Sequence, residues 1–402
     1  LYMVSGSNEF EAGSEFYKDR ILINDGYGNF VVDKDRMPEI SASGSVVRAM
    51  DFDGDGYMDL FVGGRTPAGE YPMAERSFLL KNDKGTLKDV TQEYAPELRK
   101  VGMVTDAIWA DYDGDERPDL IVLGEFMPIT FFKNETTSFS KIEGTGVDDQ
   151  IGWWESIKAK DMDGDGDIDF VAGNLGRNNF FQPSSERPVY LVTKDFDSNG
   201  TQDPIFFAYF KDKTGEFKPY PVNFWGDLNL QSPLFRKKFD YFRDYAEASL
   251  NTLFSEDEIK DALMLKGNFD KSVYIENLGS GKFSLHPLPI EAQLAPLNDM
   301  LIDDVDGDGN DDILGIGNDF GNETFIGRYD AFNGILLKGD GHGNFITEKT
   351  AKSGFLVPGD AKSIVQVRSA SGGSLFFVTQ NKGRLLVFKD GATPMKDEND
   401  AF

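Results

Sequence analysis

Five times in 402 residues the same nine-residue acidic phrase returns, each time ahead of an apolar run. The copies are DFDGDGYMD at 51–59, DYDGDERPD at 111–119, DMDGDGDID at 161–169, DFDSNGTQD at 195–203 and DVDGDGNDD at 304–312. Acidic or amide side chains stand at positions one, three, five and nine. They are Asp51, Asp53, Asp55 and Asp59; Asp111, Asp113, Asp115 and Asp119; Asp161, Asp163, Asp165 and Asp169; Asp195, Asp197, Asn199 and Asp203; and Asp304, Asp306, Asp308 and Asp312. Carboxylates packed this closely repel one another unless a cation sits among them. Ca²⁺ takes six to eight oxygens at roughly 2.3–2.6 Å, and alternate side chains of a tight turn converge on one point. The backbone carbonyl of position seven completes the shell, from Tyr57, Arg117, Asp167, Thr201 and Asn310 in turn. Gly at position six permits the sharp turn in every copy but the second, which has Glu116.

An EF-hand loop needs a bidentate Glu at position twelve and helices on both sides. Position twelve here is Val62, Val122, Ala172, Phe206 or Gly315, and β-type segments flank each copy. The loops therefore read as turns joining strands, with about five structural Ca²⁺ ions. The second loop, with Glu116 and Pro118, and the fourth, with Asn199, read as the weaker sites, where Mg²⁺ competes.

The loops begin at 51, 111, 161, 195 and 304, a spacing suited to four-stranded units of a repeat protein. Apolar strands ending in Gly-rich turns recur at 21–30 (ILINDGYGNF), 273–283 (VYIENLGSGKF) and 336–345 (LLKGDGHGNF), which is hairpin chemistry. With a loop-less first unit, 1–33, and a last unit, 364–388, the count reaches seven. The fold class expected is all-β, a single seven-bladed β-propeller over 1–392 with a charged tail, 393–402, that frays. The gap after Asp203 is filled by a helical insertion over 232–266, opened by Ser232-Pro233 and carrying a capping box at Ser255–Glu258. The opening LYMVSG is already strand-like and lacks a start Met, so the chain reads as a piece of a longer one, with Leu1 placed as Leu60 and Leu120 are after their loops.

A net charge of −28 opposes binding to nucleic acid or to anionic membrane surfaces. The absence of cysteine excludes disulfides and thiolate metal sites, and two histidines leave little for His-based chemistry. No apolar run is long enough to insert in a membrane, and no signal peptide is present. No phosphate-binding Gly-rich loop, G-x-S-x-G or H-E-x-x-H occurs. Candidate ligand-binding residues lie where the repeats are broken: Trp153 and Trp154, Arg177 in the NLGRNN stretch at 174–179, Trp225, and Arg328 with Tyr329.

The repeated D-x-D-x-D-G-x-x-D-[LFI] unit with its Gly-rich hairpin resembles the FG-GAP/VCBS repeat, which builds seven-bladed propellers such as the integrin α-chain headpiece. The stretches 235–254, 287–318 and 327–345 look like the cartilage-acidic-protein-like (ASPIC/UnbV-type) members. That resemblance implies calcium at the positions above and an extracellular or outer-membrane surface location, and it supplies no activity. The expected function is a non-catalytic module binding a protein or glycan outside the cell, in a larger surface complex. The alternatives are a polysaccharide lyase or hydrolase working at the propeller mouth, and an architectural subunit of a surface assembly docked through the helical insertion.

Overall fold

The chain's structure, a computed structural model, describes residues 1–323, 326–369 and 373–389. The expected fraying tail and part of the turn at 369–374 lie outside the described residues. Antiparallel strands dominate, and they form two compact units. The first comprises 1–109, 116–153 and 181–269; the second comprises 110–115, 154–180 and the chain from 270 onward.

In the first unit, β1 (Tyr2–Met3), β2 (Arg20–Asn24) and β3 (Phe30–Asp33) make a three-stranded meander. A four-stranded meander follows: β4 (Gly44–Met50), β5 (Asp59–Gly64), β6 (Phe78–Asp83) and β7 (Thr86–Asp89). Then come β8 (Met103–Ala110), β9 (Asp119–Met127), β10 (Thr130–Asn134) and β11 (Phe139–Lys141). β12 (Gly152–Lys160) enters beside β9, with Gly152 opposite Met127 and Trp153 opposite Glu125, and from Trp154 it pairs with β13 (Asp169–Asn174) in the second unit.

A serial repeat would now pair β13 with the next strand in sequence. Instead 181–269 form a sheet of their own in the first unit: β14 (Val189–Thr193), β15 (Ile205–Lys211), β16 (Phe217–Pro221) and β17 (Leu263–Gly267), in the order β16-β15-β14-β17. The second unit resumes with β18 (Val273–Asn277), which pairs with β13, and β19 (Phe283–Pro287). The hairpin at 273–283 therefore completes the sheet of the third acidic loop, and the fourth loop belongs to an inserted sheet. Two further meanders close the described chain: β20 (Leu297–Asp303), β21 (Asp312–Gly317), β22 (Ile335–Gly339) and β23 (Phe345–Glu348), then β24 (Ala361–Arg368), β25 (Ser374–Gln380) and β26 (Leu386–Lys389).

The strand after each loop but the fourth is its sheet's most buried; in the inserted sheet β14 is more buried than β15. Every residue of β5, β9, β13 and β21 is buried, as the unbroken apolar runs demand. Phe61, Leu79, Leu120 and Phe132 anchor one core in the first unit; Val171, Leu297, Met300 and Leu337 anchor one in the second.

The helical insertion differs from its expected span. After a one-turn helix α1 (Thr91–Tyr94), the helices here are α2 (Trp225–Gln231), α3 (Pro233–Arg236), α4 (Phe242–Ala246), α5 (Leu250–Leu253) and α6 (Glu256–Ile259). They start before Ser232, and Leu263–Gly267 are strand, not helix. Tyr241, extended at φ −134°, breaks the expected continuous pattern. Ser232 and Pro233 do open a helix, and the Ser255–Glu258 capping box forms in both directions.

Candidate metal centres

Each acidic phrase is a turn between two strands. Positions four and six are both left-handed: Gly54 and Gly56 have φ of 75° and 87° in the first loop, and Ser198 and Gly200 have 61° and 89° in the fourth. Glu116 adopts φ 64° without glycine's freedom, so the second loop keeps the shared turn.

In every copy three acidic side chains bring one oxygen each to within 4.8 Å of the others. They are Asp51, Asp53 and Asp59; Asp111, Asp113 and Asp115; Asp161, Asp163 and Asp169; Asp195, Asp197 and Asp203; and Asp304, Asp306 and Asp308. Hard oxygen donors at this separation fit a hard divalent cation. The expected ligands thus converge in threes. Position five joins the three in the second and fifth loops, as Asp115 and Asp308, and position nine joins in the others. An oxygen of position five also binds its own loop: Asp55 Oδ1 accepts the Tyr57 N–H at 3.0 Å, Asp165 Oδ1 the Asp167 N–H at 2.9 Å, Asn199 Oδ1 the Thr201 N–H at 2.8 Å and Asp308 Oδ1 the Asn310 N–H at 2.9 Å. In the second loop the Arg117 side chain donates to the Asn134 carbonyl at 2.8 Å.

The ninth position does a second job. Asp59, Asp119, Asp169, Asp203 and Asp312 are at most 1% exposed. One carboxylate oxygen takes the N–H of position two: Phe52 to Asp59, Met162 to Asp169, Phe196 to Asp203 and Val305 to Asp312, at 3.0–3.2 Å. The other takes an N–H from the strand paired with the aspartate's own: Asn82 to Asp59 and Asn134 to Asp119 at 2.7 Å, Asn277 to Asp169 at 2.8 Å, Gly339 to Asp312 at 3.0 Å. Burial pushes Asp59 and Asp203 up to about 6 and raises Asp169 and Asp312, because desolvation disfavours the charged form. A cation in the loop would reverse that cost.

Position two plugs into a core while the loop holds its backbone. The Phe52 ring lies 5.5 Å edge-on to Phe139 and 6.2 Å from Trp109, and Asn134 Nδ2 donates to the Phe52 carbonyl at 2.7 Å. The pair recurs in the second unit, where Tyr112 meets Phe283 edge-on at 5.8 Å and Asn277 Nδ2 donates to its carbonyl at 2.8 Å. These asparagines were missed as site residues, although the Asn that ends ILIN and VYIEN was their visible signal. Asn277 also donates to the Ile168 carbonyl at 3.1 Å, and it is 2% exposed. Asn277→Ala is expected to destabilise by about 2 kcal/mol, since two carbonyls lose a buried donor. Asn82→Ala, which loses an exposed bond to the Met58 carbonyl and the Gly85 N–H that its Oδ1 accepts, leaves no fully buried carbonyl without a donor and is expected to cost about 1 kcal/mol. Urea titration of both variants checks the difference.

Lysines were missed too. Lys81 bonds Asp53 and lies 3.4 Å from Asp55, and Lys338 bonds Asp306 and lies 3.9 Å from Asp308. Each immediately precedes the N–H donor to Asp59 or Asp312. In the third loop that register position is Glu276, bonded to His286 at 2.8 Å, and its charge helps burial raise Asp163.

The residues proposed for ligand contact are dispersed. Trp154 is fully buried, and Trp153 packs edge-on to Phe126 at 4.9 Å. Trp225 opens α2 and meets Phe242 edge-on at 4.5 Å. Arg177 lies 3.6 Å from buried Asp270, and its backbone N–H bonds the Gln293 carbonyl. Arg328 stacks over Phe320, 5.0 Å from the ring centre, while Tyr329 is buried and exchanges both backbone hydrogen bonds with Asp319. None of these groups forms part of a loop cluster.

The recurrence of loop, buried ninth aspartate and hairpin through the second and third copies coincides with a family match: residues 111–172 fit the FG-GAP-like repeat. This stretch of the chain is an FG-GAP-like repeat. No curated protein matches it. Among solved structures it is similar to the exotype rhamnogalacturonan lyase YesX, at 12% identity over 95% of this chain and 58% of that one, with a TM-score of 0.35. It is also similar to the V. cholerae biofilm matrix protein Bap1, at 10% identity over 94% of this chain and 75% of that one, TM-score 0.32. The Bacillus licheniformis rhamnogalacturonan lyase PL11 aligns at 12% identity over 87% of this chain and 57% of that one, TM-score 0.34. The chain thus spans under two thirds of either lyase. Among the described residues no helix is long and apolar enough to cross a membrane.

Proposed function

We propose that this FG-GAP chain is a calcium-loaded, non-catalytic propeller of seven units that presents a binding surface to a protein or glycan outside the cell, as part of a larger surface complex. The observation that carries the reading is the fivefold convergence of three acidic oxygens, with a buried ninth-position aspartate among them in three loops. The strands support seven units when the inserted sheet is counted with the meanders. The cartilage-acidic-protein-like branch is supported by the stretches 235–254, 287–318 and 327–345. The lack of a recognisable catalytic motif supports a binder over a lyase or hydrolase. Exposed Phe224, Leu230, Tyr241 and Phe242 of the helical insertion are the surface groups we assign to partner contact in the first unit, and Arg177 and Arg328, separately, those in the second.

Calcium titration calorimetry with elemental analysis tests the metal part: about five ions per chain are expected, with Mg²⁺ binding more weakly. A glycan array and pull-downs, each run with and without Ca²⁺, test the binding part. Turnover of any glycan that survives loss of all five ions, and stops on changing one acid outside the loops, would overturn the non-catalytic reading.

A further inference from the structure

The fourth loop lacks a hydrogen bond that the other four have. In those four, the ninth aspartate receives an N–H from Asn82, Asn134, Asn277 or Gly339. Asp203 receives the Phe196 N–H on Oδ2 at 3.0 Å, but its Oδ1 has no hydrogen-bond partner, and the residue is fully buried. The register explains the loss. β15 pairs with β16 so that Phe207 faces Pro221. Carried on with the offset of the other sheets, that pairing would bring residue 226 to Asp203. The chain has left the strand by then: Asn223 turns its side chain to the Phe206 N–H, and α2 begins at Trp225. A buried carboxylate oxygen without a donor is costly, and its residue belongs to the cluster with Asp195 and Asp197.

Phe196 links the same carboxylate, through its other oxygen, to the helices. Its N–H is held by Asp203, while its ring stacks on Phe254 at 4.8 Å and meets Phe235 edge-on at 5.6 Å. Phe235 and Phe254 are the buried anchors of α3 and of the turn after α5. The five helices span four to seven residues each, too short to persist without such packing.

Building on the cation reading above, we propose that a divalent cation in the fourth loop supplies what the missing donor does not, so that the inserted sheet and its helices are ordered by the cation while the other sheets keep their order without it. The fourth loop, weakest by charge count, is then the one whose ion matters most locally. Its occupancy sets the arrangement of Phe224, Leu230, Tyr241 and Phe242, which makes the exposed face of the insertion conditional on calcium.

Hydrogen exchange of the full chain, read by mass spectrometry in saturating Ca²⁺ and in excess EGTA, tests this. Chelation is expected to cut protection about tenfold or more across 189–267, and distinctly less in β4–β7 and β20–β23. Asp203→Asn should lower the number of bound Ca²⁺ by one and abolish the calcium response of 189–267. Asp197→Asn, whose side chain is not buried, should do the same if the first variant fails to fold. Asp59→Asn should also remove one ion yet leave the response of 189–267 intact. Equal loss of protection in all sheets, or an unresponsive insertion in a chain that binds calcium, overturns the inference and leaves the cation reading standing. A chain that binds no calcium overturns both.

Discussion

Excess EDTA at pH 7 is expected to lower the melting temperature by more than about 10 °C. An ion held at a hundred times its dissociation constant adds about 2.7 kcal/mol per site, and 1 kcal/mol moves a chain unit of this size by roughly 2–4 °C. Several loops acting together therefore exceed the effect of any single substitution on the surface. The pH dependence should change sign with the metal. In the cation-free chain, burial holds Asp59, Asp203 and the non-loop Asp19 at about 6, against an ordinary carboxyl value near 3.8. The folded state then binds more protons than the unfolded state between about pH 4 and 6, so its stability falls as pH rises through that window. Exposed carboxylates held low by lysine, such as Asp212 beside Lys218, act below that window. Without metal the chain should melt higher at pH 5 than at pH 7. With saturating Ca²⁺, which binds the ionised form, the order should reverse. Scanning calorimetry in four buffers decides it, and a melting temperature indifferent to EDTA would defeat the account.

The sequence made the loops legible because their chemistry is local: nine residues suffice to bring three oxygens together. The hairpins were legible for the same reason, since turns such as Asp25-Gly26, Ser280-Gly281 and Asp340-Gly341 fix both of their strands. Strand partners more than about a hundred residues away were not. β13 reads as the neighbour of β14 until the structure shows it beside β18, because two apolar runs of equal length carry no mark of which is inserted. Helix α2 escapes the pattern because Trp225–Gln231 has no side-chain cap, and 263–266 read as the end of the helical insertion because the alternation of β17 is only five residues long. Spacing gave Asp59 and Asp203 the same role, but only the register of β15 and β16 separates them. Nor could spacing place Lys81 or Lys338 at a loop, since each reaches it from a strand about 26 or 30 residues further on.

Gly173→Ala is expected to be the most damaging single methyl in the second unit. β13 ends there against the start of β20, and a Cβ on Gly173 would lie 2.0 Å from the Leu297 carbonyl oxygen and 2.6 Å from Ser156 Oγ. Those two atoms already bond each other at 3.0 Å, so neither can move alone. The requirement is close approach, not a left-handed backbone, because β13 is ordinary strand at this point. Gly317, at the end of β21, meets the Pro296 carbonyl oxygen at 1.9 Å in the same way. Forcing backbone apart costs at least the ~3 kcal/mol at the upper end of core overpacking, which corresponds to a fall of roughly 6–12 °C in melting temperature. The loss should persist in saturating Ca²⁺ with the number of bound ions unchanged, because the third loop lies at the other end of β13. Gly226→Ala provides the control: nothing lies within 4 Å of its Cβ position, it sits in α2, and alanine is the better helix former. That variant should melt at or slightly above the parent temperature. If Gly173→Ala instead melted within about 2 °C of the parent, the close approach of β13 to β20 would not be the packing constraint that the glycine serves.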